Sequence, residues 1–367
     1  MAGLLDGFRV VDLSQYLPGP FAGQTLADLG AEVAKVEPPG GDPMRGIGPP
    51  DPDGVSAYYK LVNAGKRVLR IDLKAEAGRA TFADLISRSD VLLESYRPGM
   101  LARLGFDRSA LTALNPRLVH CALSGYGQTG PKADLGGHDL NYLAWGGGLV
   151  TSGSEARPVI AHPPVADHAG ALQAVVAILA ALLRRTRCGE GAYLDVSLAE
   201  AVLAWQGGQL TAALRGRPMT RGRDLLNGGA ACYRIYETAD GRFVTLGALE
   251  PKFWAAFCDA AGRPDWIARQ AEPLPQDSLI AEVAALFEAR PLAEWQATLG
   301  AVDCCWQPVL EAEELLSDPQ AGARGLLRRS GDLVEVLFPA LIDGQAPPRR
   351  RPLEEVTAEI VLEAWAG

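Results

Sequence analysis

Apolar positions along the first two hundred residues fall into two rhythms. Short runs recur at 8–13 (FRVVDL), 32–37 (EVAKVE), 67–73 (RVLRIDL), 91–96 (VLLESY), 118–123 (LVHCAL) and 193–196 (YLDV). Their length and alternation predict strands. Between them the period lengthens. PGPFAGQTLADLG, 18–30, predicts a helix with Pro20 near its first turn and Gly30 past its end, and 76–88 predicts another. A strand, a helix and a second strand within about thirty residues imply a parallel pair with a right-handed crossover. Repeated, the unit builds an open, doubly wound α/β sheet of Rossmann-like type.

Two departures break the alternation. Residues 37–66 hold six prolines and six glycines and predict a long irregular loop, which in a folded domain is usually functional. Residues 168–187 are almost continuously Ala, Leu, Val and Ile before RRTR, which predicts a helix buried on several sides with basic residues at its carboxyl end. A further helix is expected at 197–215. The Arg- and Gly-rich stretch that follows reads as a linker. Beyond it, 233–237, the turn ADGR and 243–247 predict a hairpin. Helices at 251–261, 278–289 and 292–299 and a strand at 302–309 complete a smaller α+β domain. The expected organisation is a large domain over 1–214, a linker over 215–230, a small domain over 231–310, and a segment over 311–367 that returns to the first domain, helical at 311–316 and extended at 334–338.

A chain of 367 residues exceeds one ordinary core, in keeping with two domains. Its net charge of −9 argues against nucleic acid or an anionic membrane surface as the main partner. An anionic ligand must then meet a local basic cluster. No apolar run is expected to cross a membrane, and Asp6 and Arg9 stand where a signal peptide would be apolar. The six cysteines show no C-x-x-C spacing and the four histidines no H-x-x-x-H, so no metal site is expected. Adjacent Cys304 and Cys305 read as buried thiols in a reducing cytoplasm.

Candidate chemistry concentrates in 124–170. Gly125-x-Gly127-x-x-Gly130 follows a strand, but no helix opens at its glycines, which argues for a tight turn rather than a dinucleotide site. GGHD follows, with His138 able to take or give a proton near neutral pH and Asp139 placed to orient the ring or cap a short helix. Asp167 stands at the expected N-cap of the long apolar helix. There the helix dipole keeps it ionised, which suits a nucleophile, whereas a proton donor needs burial to raise its pKa. Both chemistries stay open. His162 and His168 read as bystanders. Glu250 begins a helix after the hairpin. Arg45, Lys66 and Arg97 lie in loops beside Gly or Pro, where a phosphate-bearing ligand could approach, with Arg67 and Arg103 nearby in sequence.

Taken together, GFRVVDLSQYLPGPFAGQTLADLGAEVAKVEPP, NAGKRVLRIDLK, VLLESYRPGMLARLG, SGYGQTGP, GGHDLNYLA, Asp167 and LGALEPKFW resemble the class III CoA-transferase family, in particular its α-methylacyl-CoA racemase branch. The resemblance implies a Rossmann-like large domain, a small domain and an interlocked homodimer. It implies an acyl-CoA substrate, with no cofactor beyond the CoA moiety itself. Racemases of the family carry a histidine where His138 stands and an aspartate at Asp167. They also carry a glutamate at Glu250 that approaches the histidine from the partner subunit. In the family's transferases the aspartate is instead a nucleophile that takes the acyl group as an anhydride, and the histidine position is typically aromatic. The implied reaction is 1,1-proton transfer on a 2-methyl-branched acyl-CoA through an enolate, the alternative being transfer of CoA between carboxylic acids.

Overall fold

The structure, a computed structural model, describes residues 3–330 and 333–366. The central element is a seven-stranded parallel sheet. Its strands β1 (Arg9–Leu13), β2 (Glu32–Glu37), β3 (Arg67–Arg70), β4 (Val91–Glu94) and β5 (Val119–Ser124) stand close to where the apolar runs predict them. Ala192–Ser197 forms the edge beside β5, and Glu354–Glu355 forms the other edge beside β3. The spatial order is therefore Glu354–Glu355, β3, β2, β1, β4, β5, Ala192–Ser197, which reverses direction at β1.

Strand β2 shows how charge is accommodated in this sheet. Lys35 and Glu37 alternate with valines, so alternation alone would turn them toward water, yet both are buried. Lys35 Nζ pairs with Asp42 at 2.9 Å and donates to the Ser14 carbonyl at 2.8 Å. Glu37 accepts from Arg45 Nε at 2.8 Å and from the Tyr59 hydroxyl at 2.5 Å. Buried charge is tolerated where it is paired and hydrogen-bonded.

The chain falls into two units. The first comprises Met1–Gly146, His162–Trp205 and Asp318–Gly367, the second Gly147–Ala161 and Gln206–Ser317. The division thus falls at Trp205 rather than residue 214, and the stretch read as a linker belongs to the second unit. The physical reason is a break in the expected 197–215 helix. It is two helices, Leu198–Leu203 and Gly207–Leu214, and the glycines at 207 and 208 open the second. The 37–66 loop also holds more order than its composition suggests. Ser56 caps a helix over Ala57–Asn63, its hydroxyl accepting from the amides of Tyr58 and Tyr59.

The long apolar helix runs over Val165–Cys188, 24 residues. Contrary to the sequence expectation, it is long and apolar enough to cross a membrane by length and composition alone. Half of its most apolar window is buried inside the protein, and its last turn carries Arg185, buried against Asp90 at 2.6 Å.

In the second unit Tyr233–Glu237, Phe243–Gly247 and Trp306–Pro308 form an antiparallel sheet. Helices Pro251–Ala260, Asp277–Glu288 and Leu292–Leu299 bring Trp254, Phe257, Phe287 and Trp295 into one core. Cys304 is buried there, but Cys305 is exposed, with φ at 54°. The 311–367 segment is helical at Ala312–Leu315, still within the second unit. Its expected strand at 334–338 is Leu333–Val336, which pairs with Leu327–Ser330 in a separate ribbon. Among the described residues of this segment, only Glu354–Glu355 joins the main sheet.

Candidate active site

Ligands of open parallel sheets gather at the carboxyl ends of the strands, where the strand order reverses. Here that point is β1 and its neighbour β4. A cavity of about 890 Å³ opens at this edge of the first unit. Its wall is drawn from the chain just where it leaves each strand: Tyr16 after β1, Glu37 at the end of β2, Lys74 after β3, Arg97 after β4 and Gly125 after β5. His138 and Asp167 border the same cavity.

His138 is the N-cap of a short helix, Asp139–Trp145, and its amide donates to Asn141 Oδ1 at 3.1 Å. Tyr142, one turn along, turns back and donates its hydroxyl to the Gly137 carbonyl, fixing the peptide just ahead of the histidine. That ring requires glycine at two places. A Cβ at Gly125 would lie 2.5 Å from it, and one at Gly137 would lie 2.7 Å away.

Asp167 is not the N-cap of the long helix. Pro164 holds that position, and Asp167 lies within the first turn. The capping acceptor comes from elsewhere in sequence: Asp139 Oδ1 accepts from the Asp167 amide at 3.0 Å. Asp139 therefore serves the long helix, rather than its own short helix or the imidazole. The consequence for Asp167 is electrostatic. Burial first, and the neighbouring Asp139 charge second, raise its carboxyl from 3.8 to about 6. His168 and His138 pull the other way, as does the helix dipole, without reversing the shift. Burial and the Asp167 charge likewise push the Tyr142 hydroxyl up to about 12. His168 is packed as a structural residue, with Nδ1 at 2.6 Å from the Pro164 carbonyl and its ring edge-on to Phe21 at 4.9 Å.

The five cations expected to hold phosphate separate into distinct groups. Lys66 is fully buried, its ammonium surrounded by Asp12 Oδ2 at 2.8 Å, the Pro20 carbonyl at 2.8 Å and Asn63 Oδ1 at 2.9 Å. It binds the interior of the protein and has no surface left for a ligand; burial pushes it down to about 8. Arg45 is committed to Glu37, Glu355 and Tyr59, each at 2.8 Å. Arg67 faces Glu32 at 3.5 Å at the opposite end of its strand from the cavity. Arg103 is exposed on the short Met100–Arg103 helix, next to cavity-lining Leu104 but outside the wall. Arg97 does line the cavity, and Lys74, which sequence reasoning passed over, joins it. The signal for Lys74 was available, since it follows the third parallel strand within a few residues. Glu250 belongs to the second unit, where it precedes the Pro251–Ala260 helix and is exposed.

An imidazole and a carboxyl of raised pKa thus line one cavity at the switch point of a doubly wound sheet, together with Lys74 and Arg97. The chain belongs to CoA-transferase family III, which matches residues 5–351. It is 35% identical to the alpha-methylacyl-CoA racemase of Homo sapiens, over 98% of this chain and 93% of that one. It is 32% identical to the acetyl-CoA:oxalate CoA-transferase of Acetobacter aceti, over 95% of this chain and 92% of that one. Among solved structures, a CAIB/BAIF family protein from Brucella suis superimposes with a TM-score of 0.85 at 28% identity, covering 99% of this chain and 100% of that one. Enzymes of both names, racemase and CoA-transferase, thus stand at similar distance from this chain.

Proposed function

We propose that the protein is a racemase or epimerase of 2-methyl-branched acyl-CoA thioesters. The observation that carries this reading is Asp167, raised to about 6 on the cavity that His138 also borders. A 1,1-proton transfer needs two groups that each hold and release a proton near neutral pH. A carboxyl at its ordinary value would be a poor donor at pH 7; burial beside Asp139 makes Asp167 a competent one as well as a base.

In one direction the Asp167 carboxylate takes the α-proton, and the C–H electron pair passes into the enolate, placing charge on the thioester oxygen. Protonated His138 then delivers a proton to the opposite face. The other enantiomer runs with the roles exchanged, and solvent exchange resets both groups. The amino end of the Val165–Cys188 helix supplies a favourable field for the enolate charge. Lys74 and Arg97 offer cations to the coenzyme phosphates, and the substrate's CoA moiety is the only cofactor called for.

The family resemblance brings Glu250 to His138 from a second, interlocked copy, and we include that homodimer in the proposal. Support comes from the long helix, where Leu172, Val176 and Leu183 lie along one face and are 49%, 58% and 59% exposed. The second reading is a CoA-transferase, in which an Asp167 oxygen attacks the thioester carbon, the C–S bond breaks and CoA leaves as thiolate. The transferase relatives favour it. His138 favours the racemase, because the resemblance places an aromatic residue there in transferases.

The deciding experiment incubates the protein with a chiral 2-methylacyl-CoA in deuterated water. The expected result is deuterium at the α-carbon with loss of configuration, reduced by about 10²–10⁴ in His138→Ala and in Asp167→Ala. Full activity in His138→Ala, with hydroxylamine trapping an acyl group on Asp167, would establish the transferase instead.

A further inference from the structure

Tyr16 is held in a conformation that its residue type disfavours. Its φ is +64°, in the left-handed region that bulky side chains rarely enter. The surrounding structure enforces this at three consecutive amides. Ser14 N–H donates to Asp12 Oδ1 at 3.0 Å, Gln15 N–H to Ser95 Oγ at 3.0 Å, and Tyr16 N–H to Asp42 Oδ1 at 3.3 Å. Two of the three acceptors are buried carboxylates with their own buried partners, Lys66 at 2.8 Å from Asp12 and Lys35 at 2.9 Å from Asp42. Lys35 also clamps the Ser14 carbonyl at 2.8 Å. Two interior ion pairs thus brace one short turn.

What the turn presents is an aromatic ring on the cavity wall, 46% exposed. Among the described residues the Tyr16 hydroxyl has no hydrogen-bond partner and the ring no aromatic neighbour. The ring therefore contributes little to the interior while its backbone carries strain. Strain of this kind, maintained by its surroundings, gathers where a ligand is gripped.

The position also indicates which part of the ligand it meets. The turn runs directly into the Pro18–Asp28 helix, whose Phe21 meets His168 edge-on at 4.9 Å, next to Asp167. Tyr16 thus shares the cavity with His138 and Asp167 and leads into the helix that packs on His168, while Arg97 follows the neighbouring strand β4 and Lys74 a strand two places away.

We propose that Tyr16 is a substrate-contacting, specificity-determining residue, its ring packing on the acyl group and favouring apolar, bulky acyl chains. This inference rests on the acyl-CoA reading above. The test compares wild type, Tyr16→Gly and Tyr16→Phe in the full chain. Calorimetry measures binding of free CoA and of a long 2-methylacyl-CoA, and thermal unfolding is followed alongside.

Glycine relieves the left-handed backbone, so Tyr16→Gly should melt at or ~2 °C above wild type. It should bind the acyl-CoA about tenfold more weakly, as expected for losing one apolar ring contact, while free CoA affinity stays within about twofold. Tyr16→Phe should bind both as wild type does. A marked fall in melting temperature for Tyr16→Gly would make the ring a packing element and overturn the inference, as would unchanged acyl-CoA affinity or an equal loss for free CoA. Wild-type protein that binds no acyl-CoA would overturn the acyl-CoA reading and this inference together.

Discussion

Replacing Asp139 by Asn isolates one cause of the Asp167 shift. The amide oxygen can still accept from the Asp167 N–H, now 3.0 Å from Asp139 Oδ1, so the cap survives while the charge goes. Removing a neighbouring negative charge favours the ionised form, so the Asp167 pKa must fall from about 6. Burial is the larger cause and remains, so the fall is partial. The Asp139 charge is the second of the two causes of a rise from 3.8 to about 6, so its removal is expected to lower the Asp167 pKa by about one unit. In the direction where Asp167 is the base, the acidic limb of kcat/KM for α-hydrogen exchange should move from near pH 6 to about pH 5. At about pH 5.5 the ionised fraction of Asp167 then rises roughly threefold. In the opposite direction, where Asp167 must carry a proton, its limb moves down by the same amount and the rate at neutral pH falls. Profiles measured for both enantiomers check the two signs at once. Limbs that stay where wild type has them would refute the coupling between Asp139 and Asp167, and limbs moving upward would reverse it.

The cations give a second contrast. Lys66→Met leaves Asp12 buried without its partner and should cost about 3–5 kcal/mol of stability in denaturant unfolding, whereas Arg97→Ala should leave unfolding unchanged, weaken CoA binding and reduce its salt sensitivity; destabilisation by Arg97→Ala with intact CoA affinity would exchange their roles. Sedimentation of the active protein should show a dimer at assay concentrations, and a stable monomer with full activity would exclude a site completed by Glu250 of a second copy.

Most of the sheet was legible because a parallel strand buried on both faces writes itself as an apolar run, as β1, β4 and β5 did, while β2 showed itself by alternation. His138 and Asp167, which border one cavity, stood out in the sequence because glycines crowd around the first and an apolar helix follows the second. What stayed hidden depended on partners distant in sequence. Nothing beside Lys66 announces that Asp12, 54 positions earlier, will enclose it, so a buried lysine passed for a ligand-facing one. Asp139 could not be seen to cap a helix 28 positions on. The helix within 37–66 was concealed by composition, since the prolines and glycines on either side outweigh seven residues capped by one serine. Cys305 escaped burial through a backbone turn that its neighbour Cys304 does not share.

The edge of the main sheet has a bearing on how the chain is made. Glu354–Glu355 pairs with β3, Arg350 pairs with Asp28 at 2.6 Å, and Trp365 donates to Glu32 at 3.1 Å while burying its ring. All three partners are translated within the first seventy residues, and the second unit is translated between them and their mates. During synthesis β3 therefore remains an open edge, with unpaired amides and carbonyls, until residues 350–365 have left the ribosome. Over that interval the nascent chain presents a ready template for another strand, and its protection is a matter of timing: the second unit, which the chain supplies largely from one continuous stretch, can close first, while the older and larger unit waits for its last strand.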